Sequence, residues 1–124
     1  MKQPKTIKIN NTEYVKKEDL KTLPDLKDGL TYCIIRTYSA GCFAGYINRE
    51  RENKKEATVY NSRRLWYWSG ASSLSQLSVD GVKNPNDCKF PCEEQEKDLT
   101  EIIEVIPATE QAKQSINEVK IWEQ

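Results

Sequence analysis

The stretch NSRRLWYWSGASSLSQL, Asn61 to Leu77, changes its hydrophobic period halfway along. Up to Trp68 the residues alternate. Strand geometry puts Arg64, Trp66 and Trp68 on one face and Arg63, Leu65 and Tyr67 on the other. From Ser69 onward, Ala71, Leu74 and Leu77 recur at helical spacing, serines offer N-caps, and Gly81 supplies a C-terminal stop. A strand that hands over to a short helix in this way predicts a mixed sheet-and-helix fold.

Working outward, EATVYNSRRLWYW reads as one strand, with a bulge or bend at Asn61-Ser62. On its N-terminal side, LTYCIIRTYS (Leu30–Ser39) and GCFAGYINRER (Gly41–Arg51) are rich in β-branched and aromatic residues. They are joined by the tight Ser39-Ala40-Gly41 corner and predict neighbouring antiparallel strands. KTIKINNTEYVKK predicts a hairpin about Asn10-Asn11, and KEDLKTLPDLKDG a turn and loop. On the C-terminal side, VKNPNDCKFPCEEQEKD has two prolines and no sustained period, so it predicts a long irregular loop. LTEIIEVIPA alternates as a strand ending at Pro107. Thr109 and Glu110 then open a helix whose apolar face is Ala112, Ile116 and Val119, and VKIWEQ either finishes that helix or adds an edge strand.

The expectation is therefore an α+β fold, an antiparallel β-sheet body with two short helices in the C-terminal half. With 124 residues it forms one ligand-binding domain over residues 1–124, of which 1–29 are a variable hairpin and loop. The hydrophobic fraction, 37%, is lean for that size, so self-association is expected. The 19 basic side chains are balanced by 19 acidic ones, which argues against a partner recognised by bulk charge, such as duplex nucleic acid. No apolar run approaches the ~20 residues that cross a bilayer, and MKQPKTIKINN lacks the apolar centre of a secretion signal. No membrane association is expected, and a cytoplasmic location is.

The chain contains no histidine, which removes the commonest general base and the usual hydrolase triad. Cys33, Cys42, Cys88 and Cys92 lack the paired knuckles of a structural zinc site, so no metal is expected and they read as free thiols, Cys33 and Cys42 as small buried groups. No phosphate-cradling glycine motif is present and no cofactor is expected. Nucleotide binding by other means remains open to the chain. Arginine forks onto phosphates, Trp and Tyr faces stack bases, and hydroxyl or amide groups read ribose and base edges. Candidates are Arg36, Arg63 and Arg64 for phosphate, Tyr38, Trp66 and Trp68 for stacking, Ser39, Ser72 and Ser73 for phosphate or ribose, Asn84 for the base edge, and Lys113 for a positive rim. A helix start near SGASS would add an anion-friendly wall beside Trp68. Against this stands the bland alternative: aromatic strand residues are ordinarily core or interface, and alternation commits at least one face of the Arg/Trp run to packing.

The runs RTYSAG…FAGYI, RRLWYWSGASSLSQL, GVKNP…CKFPCE and EIIEVIPATEQAKQSI, spanning about Leu30 to Trp122, resemble the phage Thoeris anti-defence sponge proteins. That resemblance implies a phage protein in the host cytoplasm, not an enzyme. It would sequester, without cleaving it, the cyclic ADP-ribose signal made by bacterial TIR enzymes. It also implies a homo-oligomer, a dimer or higher, with ligand at the subunit interface, and relatives associated with cyclic oligonucleotides. Two other readings stand beside it: a phage protein-interaction or structural module using an Arg/Trp hot spot, and single-strand nucleic-acid binding, which the zero net charge makes the weakest.

Overall fold

The structure, a computed structural model, describes residues 29–123 and the backbone of two short strands, β1 (Lys8–Ile9) and β2 (Thr12–Glu13). β1 and β2 pair antiparallel, Ile9 opposite Thr12, as the expected hairpin requires, while its Asn10-Asn11 turn and the following KEDLKTLPDLKD lie outside the described residues. The body is a five-stranded antiparallel sheet in the order β6-β5-β4-β3-β7. Its strands are β3 (Thr31–Thr37), β4 (Cys42–Ile47), β5 (Ala57–Arg64), β6 (Glu93–Leu99) and β7 (Ile102–Pro107). Two helices, α1 (Leu74–Asp80) and α2 (Glu110–Glu118), lie in the C-terminal half. The fold is α+β, as expected.

β6 and β7 lie at opposite edges of this sheet, yet only Thr100 and Glu101 separate them in sequence. Laid flat, four inter-strand spacings would put the edges about 19 Å apart. The three residue steps from Leu99 to Ile102 reach about 10 Å at most. The sheet must therefore curl until its edges meet at this link, where Glu101 takes a left-handed φ of 56°. The curl is visible in the packing. Cys33, Ile35, Phe43, Ile47, Val59, Leu99 and Ile102, drawn from all five strands, form one buried cluster on the concave face. Across the gap, the amide of Ile102 donates to the carbonyl of Lys55 at 2.9 Å.

The convex face carries the second cluster. Tyr32, Ile34 and Ala44 of the sheet meet Leu77 of α1 and Ala112 and Ile116 of α2, with Leu65, Phe90 and Val119 beside them. Alternation along β3 and β4 divides the two faces, so nearly every apolar residue of these strands is buried. Thr109 caps α2 by accepting from the amide of Ala112 at 3.1 Å, as expected, and Gly81 ends α1 at φ 79°, also as expected.

Two local expectations need correction. The expected irregular loop VKNPNDCKFPCEEQEKD ends in strand β6, which starts at Glu93 and pairs with β5 from Ala57↔Leu99 to Arg63↔Glu93. It lies at the sheet edge with most side chains exposed, so it carries no apolar alternation to read. The third strand stops at Arg64 rather than running to Trp68. Beyond it only Tyr67 makes an isolated bridge, to Lys89, and the facing pattern breaks, because Trp68 packs on the convex cluster with Leu65. Helix α1 starts at Leu74, directly after SGASS, with Ser73 as the serine whose side chain caps it, so the period change at Ser69 precedes the first helical turn by several residues. The bulge does sit at Asn61, with φ 53° and a register shift against Ala44–Tyr46. The final VKIWEQ adds a single parallel bridge, Phe90↔Ile121.

Candidate functional site

The corner RTYSAG closes the β3–β4 turn, and its own polar groups hold it. The hydroxyl of Thr37 donates to the carbonyl of Gly41 at 2.8 Å and accepts from the amide of Ala40 at 3.0 Å. Tyr38 is left projecting, 78% exposed. β5 ends at the same end of the sheet, and Trp66 just beyond it is 64% exposed. Arg64 joins the two: its Nη1 donates to the carbonyl of Ala40 at 2.6 Å while its guanidinium lies 4.6 Å from the centre of the Phe43 ring. Arg36 and Ser39 stand on this corner as well. Arg36 pairs with Glu104 at 2.9 Å and the Ser39 hydroxyl donates to the Glu101 carboxylate at 3.0 Å. The arrangement combines exposed aromatic faces, two guanidinium groups and a hydroxyl. It also carries two carboxylates, those of Glu101 and Glu104, that hold the Ser39 hydroxyl and the Arg36 guanidinium.

Trp68, Ser69, Ser72, Ser73 and Asn84 form a second grouping. Asn84 donates its side-chain amide to the Ser69 hydroxyl at 3.1 Å. Gly70, at φ 93°, lets two loops touch: a Cβ there would lie 2.7 Å from the amide of Asn84. The expected anion wall at the start of α1 is already occupied from within. Both the amide and the hydroxyl of Ser72 donate to the side-chain oxygen of Gln76, and the Ser73 hydroxyl accepts from the amide of Gln76. The amides of Ser72 and Gln76 are thereby taken up within the chain, and the Ser72 and Ser73 hydroxyls are spent on the cap.

Arg63 and Lys113 belong to neither grouping. Arg63 is buried and donates to three carbonyls, those of Pro91 (3.0 Å), Ile116 (2.8 Å) and Phe90 (3.2 Å), and burial pulls its pKa below the usual arginine value. Lys113 donates to the Tyr46 hydroxyl at 3.0 Å and approaches Glu110 at 3.5 Å. Burial lowers its pKa, but the Tyr46 hydroxyl and the Glu110 carboxylate outweigh this and leave it raised. Of the eleven sequence candidates, the structure gathers Arg36, Tyr38, Ser39, Arg64 and Trp66 at one end of the sheet.

Cys33, Cys42 and Cys88 are not poised as nucleophiles. Burial pushes Cys33 up to about 11 and raises Cys42 and Cys88, so three of the four are held as neutral thiols near neutral pH. Cys33 is fully buried as expected, whereas Cys42 is half-buried. No helix among the described residues is long and apolar enough to cross a membrane.

Residues 30–116 match the family described as Domain of unknown function (DUF6948). No curated protein and no solved structure matches the chain.

Proposed function

We propose, for a chain that belongs to the DUF6948 family, a non-enzymatic role: it binds and holds a cyclic ADP-ribose-type signalling nucleotide without cleaving it, as the phage anti-defence sponges that its sequence resembles do. The observation that carries the reading is the pair of exposed aromatic faces, Tyr38 and Trp66, at the same sheet end as the guanidinium groups of Arg36 and Arg64. Exposed aromatic faces with a guanidinium at the same sheet end suit a purine ring carried on a pyrophosphate. Arg64, opposite Phe43, and Arg36, opposite Cys42, stand on opposite faces of the sheet, so one of the two would serve a given ligand. The platform is open on a single chain, and neither of two cavities in the described residues, of about 720 and 360 Å³, is lined by Arg36, Tyr38, Ser39, Arg64 or Trp66. A second copy laid over it would recess the ligand between subunits, which is the homo-oligomer the lean composition calls for. The absence of histidine and the protonated thiols support capture without turnover.

The test incubates purified protein with cyclic ADP-ribose isomers, removes free nucleotide by gel filtration, and heats the protein to release what it kept. Intact cyclic nucleotide is expected, with native mass spectrometry giving ligand and subunit number together. Recovery of linear ADP-ribose would make the protein an enzyme, and no retention would remove the proposal. Binding of cyclic oligonucleotides is read in the same assay.

The exposure of Tyr67 (52%) next to Trp66 in sequence, and of Ile121 (55%), favours a second reading, a protein-interaction module with an aromatic hot spot. In that case Trp66→Ala weakens a protein complex, while nucleotide retention is nil in the parent chain too.

A further inference from the structure

At the other end of the sheet lies a cavity of about 720 Å³, within the roughly 300–1,000 Å³ range of small-molecule sites. It is lined in part by Asn48, Arg51, Asn53, Thr58, Tyr60 and Asp98, none of which serves the proposed nucleotide platform. From the polarity of this wall we infer a second site for a neutral, hydroxyl-rich ring, a glycoside bearing vicinal hydroxyls.

The wall's hydrogen-bonding directions are fixed by its own backbone. The side-chain oxygen of Asn48 accepts from the amide of Glu50 at 2.9 Å, and that of Asn53 accepts from the amide of Lys55 at 3.0 Å. Both side chains thus keep their NH2 ends as donors. On the opposite side, one oxygen of Asp98 accepts from the Thr58 hydroxyl at 2.8 Å, which orients the carboxylate and leaves its second oxygen as an acceptor. Tyr60, two residues along β5 on the same side as Thr58, is 37% exposed and adds an apolar ring face. A ring hydroxyl donates to a carboxylate and accepts from an amide at once, so adjacent hydroxyls satisfy this donor–acceptor pairing. The C–H face of the ring fits the aromatic side chain.

An anion is disfavoured although a guanidinium borders the cavity. The Nε, Nη1 and Nη2 of Arg51 are engaged by the carbonyls of Glu56 (2.7 Å), Asn48 (3.2 Å) and Lys54 (2.9 Å), so its fork shapes the β4–β5 loop. The Asp98 carboxylate would repel a phosphate further. A cationic amine would meet the two outward amide donors and the Arg51 charge as well as the lining carboxylates Glu56 and Asp98, which makes spermidine the sharper contrast to the glycosides.

The experiment is saturation-transfer NMR on the whole purified chain with methyl β-glucopyranoside and methyl β-ribofuranoside, and with inorganic phosphate and spermidine as contrasts. Transfer to ring C–H protons of a glycoside is expected, with dissociation constants on the order of 1 mM, and with amide shifts at Asn53, Thr58 and Tyr60. Tyr60→Ala and Asp98→Asn should each weaken binding about tenfold with amide dispersion unchanged. The inference is overturned by no transfer to either glycoside, by unchanged transfer in folded Tyr60→Ala, or by shifts at these residues with phosphate or spermidine but not with the glycosides.

Discussion

The guanidinium of Arg63, on β5, donates to the carbonyl of Ile116 in α2 at 2.8 Å, tying the sheet to the helix that packs on its convex face. Two more of its nitrogens hold the carbonyls of Phe90 and Pro91 just ahead of β6. Removing the side chain would take one of two donors from the carbonyls of Phe90 and Ile116, which also accept from the amides of Trp122 and Val119. It would also unpair the part-buried carbonyl of Pro91 and open a gap beside the Phe90 ring. Arg63→Ala is therefore expected to cost about 3 kcal/mol in urea unfolding, and Arg63→Lys most of that, because an ammonium cannot fork to three sites. A loss under about 1 kcal/mol for both would show that the bonds from the Trp122 and Val119 amides suffice to hold this junction.

Arg64, its neighbour, should behave in the opposite way. It is half-buried, with one carbonyl bond and a ring contact to Phe43, so Arg64→Ala should lower stability by only about 1 kcal/mol. If the proposed platform is correct, nucleotide retention falls at least about tenfold in the same variant and in Tyr38→Ala. Retention equal to the parent in both would move the ligand elsewhere.

Gly70 sets the distance between two loops. Its φ of 93° is in the glycine region, and any Cβ would press on the backbone of Lys83 and Asn84. Gly70→Ala should thus lose about 2 kcal/mol and perturb the Ser69–Asn84 hydrogen bond. Thermal melting and the side-chain amide signal of Asn84 report the two effects separately.

Alkaline pH should destabilise the fold before it ionises the native thiols. An unfolded cysteine titrates near 9.0, while burial holds Cys33 at about 11 in the native state. Between these values the unfolded chain has released a proton that the folded chain keeps, so stability is intact below about pH 9 and declines toward pH 11, by roughly 2 kcal/mol from this residue. Burial raises Cys42, Cys88 and the Tyr32 phenol too, which act in the same direction. Cys33→Ala should flatten the decline without abolishing it, and at pH 8 a thiol reagent should label the exposed Cys92 first.

Where burial is one-sided or complete, the chain could be read. β3 and β4 are almost wholly buried and rich in β-branched and aromatic residues, and Thr109 with Ala112, Ile116 and Val119 marked α2 by cap and period. β6 was not legible, because EEQEKDL at a sheet edge is held by backbone bonds to β5 and shows no apolar face. For the site, alternation showed that Arg63 and Arg64 part company but not which one goes inside. The signal was present in Leu65, which shares Arg63's face and is buried. The self-capping of Ser72 and Ser73 by Gln76 was not legible, since a serine cluster before a helix reads equally as a cap and as a ligand cradle.

The two-residue link between β6 and β7 also bears on how this protein can meet its own copies. A curled sheet whose borders converge at Thr100-Glu101 has little straight edge on which another chain could add a strand. The border that remains on β6 is lined with Glu93, Glu94, Glu96 and Asp98, whose charges would face one another in any such continuation. Runaway stacking into fibres is thereby discouraged, and the homo-oligomer proposed above would have to use side-chain surfaces, where contacts can close on a fixed number of subunits.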